Sequence, residues 1–235
     1  MGCMVCTVAA ASVVAESAPG SRRGCTGMTA RHRVTNGRGS LRLPRLTILL
    51  MAISIGLYII LGPAPASLVF DRAAIVQGEW WRLYTGHFVH SDARHALWNI
   101  LALGILAGLL ERRGRRRLGL IVAFGAVAVD LWLWWGQPAL QWYCGLSGLL
   151  NTLLVVVLFD LWSETRRRVV LAIGVALAAK LAMETVLNQA LFTHTLWPSV
   201  PWAHVAGFAG GVVLVALERG RLRSRVSAGK ATETG

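Results

Sequence analysis

Residues 141–168 read QWYCGLSGLLNTLLVVVLFDLWSETRRR. One serine, Ser147, stands between Gly145 and Gly148, an apolar run continues to residue 162, and Arg166, Arg167 and Arg168 close the stretch. At about 1.5 Å per residue the run over 145–162 covers about 27 Å of helix. That is close to the ~30 Å hydrocarbon core of a bilayer. The stretch therefore predicts a membrane-spanning helix with a hydroxyl at its start and a positively charged stop.

Five more runs of this kind lie at about 46–62, 92–110, 118–135, 169–187 and 203–218. The whole chain has 235 residues, of which 55% are hydrophobic and 15% charged, with a mean hydropathy of +0.55. A soluble domain needs a more charged surface than this. The net charge of +13 raises the question of nucleic acid, but the arginines sit in short clusters between apolar runs, the pattern of cytoplasmic membrane loops. Those clusters are Arg38, Arg42 and Arg45; Arg112 to Arg117; Arg166 to Arg168; and Arg219, Arg221, Arg223 and Arg225. Residues 136–144 and 188–202 carry no Lys or Arg. The positive-inside rule then predicts an all-α membrane protein of six transmembrane helices with both termini in the cytoplasm. No nucleic-acid partner is expected; the lipid bilayer is.

The membrane domain is expected over 41–220. A basic cytoplasmic tail over 221–235 follows it, and an N-terminal extension over 1–40, disordered or preceding the true start, comes before it. That extension is rich in Gly, Ser and Arg and holds Cys3, Cys6 and Cys25. Only Cys144 remains in the membrane body, read as a surface-exposed thiol, so no disulfide framework is present.

Counting back to each helix's arginines places the polar minority in depth. Ser147 lies 19 residues before Arg166, about 28 Å of helix. His204 lies 15 residues before Arg219, about 22 Å. His95 and Asn99 precede Arg112 by 17 and 13 residues, about 26 and 20 Å. Three helices thus carry a nucleophile, a base and hydrogen-bond donors at a similar depth, where polar groups are costly and point to function. Ser147 opens its helix, where unpaired N–H groups suit a developing oxyanion. Gly145 and Gly148 permit close approach there. His95 and Asn99, four apart, share one helix face. In AHVAGFAGG (203–211), Gly207 and Gly211 form a GxxxG face; packed on the Ser147 helix, it brings His204 within reach of the hydroxyl. Taken singly, each motif is also ordinary helix packing in a membrane; the combination is what carries the reading.

The ordered set resembles the rhomboid family of intramembrane serine proteases over about residues 46–218. EWWRLYTGHFVHSDARHALWN (79–99) is similar to the family's Trp-Arg loop motif, here Trp81 and Arg82, followed by its His-His-Asn set, here His90, His95 and Asn99. GLSG matches the nucleophile motif at Ser147, AHVAGFAGG the base motif at His204, and Glu111 a position of a structural glutamate. The resemblance implies a Ser147–His204 dyad with no required acid and an oxyanion hole of the Ser147 N–H, His95 and Asn99. Trp81 and Arg82 then belong to a loop partly resting in the outer leaflet. Where many bacterial members carry an aromatic residue stacking on the histidine, this chain has Asn151, placed to bond His204 instead. GEWWRLYTGHFVH (78–90) most resembles the rhombosortase branch, as does KLAMETVLNQ (180–189). That branch implies membrane-anchored substrates with a C-terminal Gly-Gly-type tail, cut at the periplasmic face of a bacterial inner membrane.

Other readings stand beside this one. Lys180 and Glu184, four apart in the fifth run, read as a mutually neutralising pair, because a lone charge there costs about 2.5–3.5 kcal/mol. His87, His90 and His95 lack an H-E-x-x-H helix, so no metal and no cofactor are expected. His90 reads as a hydrogen-bonding support, His87 and His194 as interfacial residues, and Asp130 and Asp160 as capping or network groups. Trp80, Trp81, Trp134, Trp135, Trp142, Trp197 and Trp202 map to the outer boundary as an aromatic belt. The functional alternative is a catalytically inactive rhomboid-like binding or escort protein.

Overall fold

The computed structural model describes residues 43–191 and 197–233; residues 1–40 and His194 lie outside them. Apolar runs become helices that end where arginine, glycine or asparagine interrupts them. The long helices are α1 (Arg45–Leu61), α4 (Ala93–Glu111), α5 (Arg115–Leu131), α6 (Ser147–Thr165), α7 (Arg168–Leu187) and α8 (Pro201–Glu233). Between α1 and α4 lie the strand β1 (Phe70–Asp71) and the short helices α2 (Arg72–Val76) and α3 (Arg82–Thr85). β2 (Trp142–Tyr143) precedes α6.

Five of these helices, α4 to α8, are long and apolar enough to cross a membrane. α1 has 17 residues, about 26 Å, and is shorter than the rest. Three details depart from the sequence expectations. α5 widens into a π-helical turn over Trp132–Gly136, which extends its apolar length to Gly136. An antiparallel ladder pairs Phe70 with Tyr143 and Asp71 with Trp142, too short for any alternating pattern to announce it. α8 continues unbroken past Arg221 to Glu233, so the basic tail begins as an extension of the last helix.

α6 is the central helix, touching α4, α5, α7 and α8, with more of its length enclosed than any other span; α7 is the least enclosed. Between helices in lipid the hydrophobic drive is weak, so close packing and polar bonds must hold the bundle. Small residues supply the first. A Cβ on Gly207 would overlap the Gly148 carbonyl, and one on Gly211 would lie 2.7 Å from Val155 Cβ. The second comes at the arginine-bearing end, where Arg117 of α5 donates to Asp160 of α6 (2.6 Å) and Glu218 of α8 (2.8 Å). Glu111 ends α4 by accepting the Leu46 and Thr47 N–H groups (2.9 and 2.8 Å) and the Thr47 hydroxyl (2.8 Å), which caps α1. At the other end Arg72 donates to the carbonyls of Leu133 (2.6 Å), Trp134 (3.1 Å), Gln137 (3.0 Å) and Leu140 (2.9 Å). Those carbonyls lie at the end of α5 and in the turn that follows it.

Candidate active site

The turn before Ser147 is built from both sides. Gly145 has φ +117°, a conformation that glycine adopts without strain. Its N–H donates to the Gly86 carbonyl (2.9 Å), and its own carbonyl accepts from the buried Tyr143 hydroxyl (2.9 Å). Burial pushes the Tyr143 hydroxyl pKa up, which keeps it a donor. A side chain at 145 would lie 2.6 Å from His95 Cε1 and 2.8 Å from Nε2. The hollow kept open by the missing Cβ is therefore the one His95 faces.

From this turn Ser147 starts α6, with its N–H among the unpaired donors of the first turn. α8 delivers His204. Gly207 and Gly211 seat α8 on α6, Thr152 Oγ1 donates across the contact to the Gly207 carbonyl (2.7 Å), and His204 Nε2 comes to 2.9 Å from Ser147 Oγ. His204 is 8% exposed, so its partners are fixed by protein rather than by water.

The other imidazole nitrogen is held as well. His204 Nδ1 lies 3.0 Å from Glu184 Oε2. Glu184, 1% exposed, accepts with its second oxygen from Lys180 Nζ (2.7 Å) and from the Leu191 N–H (3.1 Å). The expected Lys180–Glu184 pair is thus present, and the carboxylate makes a contact the sequence did not suggest. A signal was available: Glu184 lies 16 residues after Arg168, about 24 Å, at the same depth as His204.

Against the Gly145 turn, from α4, stand His95 and Asn99. His95 Nδ1 lies 3.1 Å from Ser91 Oγ, which also reaches Asp92 Oδ2 at 2.9 Å. Ser91 gives its one hydroxyl proton to Asp92, so its oxygen accepts from His95 Nδ1–H, and Nε2 is the nitrogen nearer the Gly145 hollow. Asn99 Nδ2 is buried with no bonded partner among the described residues, and lies 3.6 Å from where a Gly145 Cβ would be. A buried amide donor with no bonded partner among the described residues thus stands beside the turn that leads into Ser147. The group combines a hydroxyl, an imidazole bonded at both nitrogens and a hollow with an unpaired amide donor, a set that suits nucleophilic attack with oxyanion stabilisation.

Several sequence expectations change. Asn151 Nδ2 donates to the Ser147 carbonyl (2.8 Å) within its own helix, not to His204. His90 is fully buried, and neither ring nitrogen has a partner among the described residues; its ring stands edge-on to His95 at 5.1 Å. It supports by packing rather than by side-chain hydrogen bonding. His87 is 1% exposed and sits 3.1 Å from Asp130 Oδ1, a buried contact in place of an interfacial one. Cys144 is buried, and that burial pushes its thiol up to about 12, so it is protonated at neutral pH and not a surface nucleophile. Arg82 is buried and bonds the Ala66 carbonyl (2.5 Å), the Val69 carbonyl (3.1 Å) and Glu79 (2.6 Å); Trp81 Nε1 bonds the Ser67 carbonyl (3.1 Å). Both build the loop above the bundle, with the Trp81 ring half exposed.

A family model for the Rhomboid domain matches residues 77–221. The chain is also 31% identical over 86 residues to a protein of Bacillus subtilis (strain 168) named "Putative rhomboid protease YdcA". That alignment covers 36% of this chain and 43% of the relative, so the chain spans less than half of that protein's length.

Proposed function

The chain belongs to the rhomboid family of intramembrane proteases, and from this membership we propose that it is a serine endopeptidase working through Ser147 and His204. The observation that carries the proposal is the 2.9 Å contact between Ser147 Oγ and His204 Nε2, made across two helices at the hollow lined by His95 and Asn99. Ser147 Oγ attacks the scissile carbonyl while His204 Nε2 takes the hydroxyl proton. The Ser147 N–H and Asn99 Nδ2–H hold the oxyanion, and His95 lines the same hollow. His204 then gives its proton to the leaving amine. In the second half it takes a proton from the water that attacks the acyl ester, and Ser147 is restored.

The proposed setting is a bacterial inner membrane crossed six times, α1 included, with both termini cytoplasmic and the site toward the periplasm. The proposed substrates are membrane-anchored proteins with a C-terminal transmembrane tail, of the Gly-Gly sorting type that the resemblance to rhombosortases implies. No cofactor is required.

Two reporters expressed with the protein in bacterial membranes test this: one with a Gly-Gly-type C-terminal tail, one with a generic rhomboid substrate helix. Cleavage of the first alone, abolished by Ser147→Ala and by His204→Ala, is the expected result. Cleavage of both makes the enzyme a general rhomboid. Residual cleavage in either variant removes the dyad. If the folded wild-type protein cuts neither reporter, the inactive-binder reading takes its place.

A further inference from the structure

We propose that Glu184 is a positioning residue that completes a Ser147–His204–Glu184 triad, holding His204 in the tautomer able to accept the serine proton. The inference rests on the Ser147–His204 reading above and departs from the acid-free dyad that the family resemblance implies.

Geometry argues for it first. A salt bridge between residues four apart on a helix needs no third partner. Yet of the two side chains it is Glu184 that turns inward, at 1% exposure against 21% for Lys180, and its free oxygen meets His204 Nδ1 at 3.0 Å. A carboxylate with no proton can only accept, so Nδ1 carries the imidazole proton and the Nε2 lone pair faces the Ser147 hydroxyl. That is the arrangement a general base needs.

Charge argues for it next. Lys180 neutralises Glu184 in the resting site, so a neutral imidazole sits beside an ion pair whose charges already cancel. When His204 takes the serine proton it becomes cationic 3.0 Å from an ionised oxygen. The attraction appears as the transition state forms and is absent before it. No proton passes to Glu184. The groups facing His204 are then Ser147 from α6, Glu184 with Lys180 from α7, and His95 from α4.

The two carboxylate oxygens are not equivalent, and this makes the test sharp. Oε1 receives both Lys180 and the Leu191 N–H. In Glu184→Gln the amide oxygen must stay with those two donors, which turns the NH2 toward His204 Nδ1. The imidazole can then only accept at Nδ1, so its proton moves to Nε2 and the base is lost.

Two measurements on the full-length chain in micelles decide it. One is the rate at which a fluorophosphonate labels Ser147; the other is the ¹⁵N spectrum of labelled histidines, with His204 assigned by its loss in His204→Ala. Glu184→Gln is expected to slow labelling on the order of 100-fold or more and to switch His204 from Nδ1–H to Nε2–H. With a cleaved reporter the loss falls on kcat and leaves KM nearly unchanged. Glu184→Asp keeps the charge and is expected to retain the wild-type tautomer and labelling within about tenfold of wild type. Equal labelling and an unchanged tautomer in Glu184→Gln overturn the inference while the protease reading stands. So does a Glu184→Asp variant as impaired as Glu184→Gln. The tautomer readout needs no turnover, so a wild-type chain that neither labels nor cleaves counts against the protease reading alone.

Discussion

His90 is wholly buried, and its ring touches His95 edge-on. Burial, and then the neighbouring His95, push its pKa down to about 3, with Asp92 opposing them. The folded protein therefore keeps His90 neutral, while an unfolded chain protonates it below about 6.5. The unfolded state binds more protons throughout that window, so His90 favours unfolding increasingly as pH falls from about 6.5 toward 3, and not above it. Thermal midpoints in micelles should fall between pH 7 and pH 4, and fall less in His90→Asn; parallel curves for the two proteins would show that His90 is not the group responsible. The residue types at this site were legible because Ser, His and Asn stand out in an apolar chain. Their partners were not. Asn151 bonds its own helix and His87 bonds Asp130, choices made by side-chain rotation and by neighbours that helical spacing does not name.

Between elements, the decisive contact is α6 against α8. His204 reaches Ser147 only because Gly207 lets the two backbones approach, its missing Cβ leaving room for the Gly148 carbonyl. Gly207→Ala forces the helices apart. Overpacking of this kind costs about 1–3 kcal/mol, so the variant should unfold at lower temperature and label Ser147 more slowly. Gly174→Ala on α7 is the control, since a Cβ there meets nothing within 4 Å. Equal midpoints for Gly207→Ala and wild type would mean that the contact is looser than described. The GxxxG pattern made this face visible in sequence. The carboxylate arriving from α7 was hidden, because Lys180 supplied a sufficient local explanation for Glu184.

Across the whole molecule the two ends differ in chemistry. One carries Arg117 with Asp160 and Glu218; the other carries Ser147, His204 and exposed tryptophans, Trp135 and Trp142 among them. In the proposed orientation the second end faces the periplasm. Single cysteines in a background with the native cysteines replaced should show it. A cysteine at Ala139 is expected to react with a membrane-impermeant maleimide in intact cells, and one at Arg115 only after permeabilisation. The opposite pattern would reverse the topology.

Composition and order along the chain were enough to determine a membrane-embedded helical protein, the helix ends marked by arginines, and the gathering of Ser147, His95, Asn99 and His204 at one depth. Those properties follow from local rules: a bilayer sets helix length, and a rise per residue converts position into depth. Tertiary structure alone decided that Glu184 meets His204, that Arg72 collects the carbonyls at the end of α5, and that β1 pairs with β2. Each depends on how helices are rotated about their axes and where the loops return, and those angles are set by packing among residues far apart in the chain.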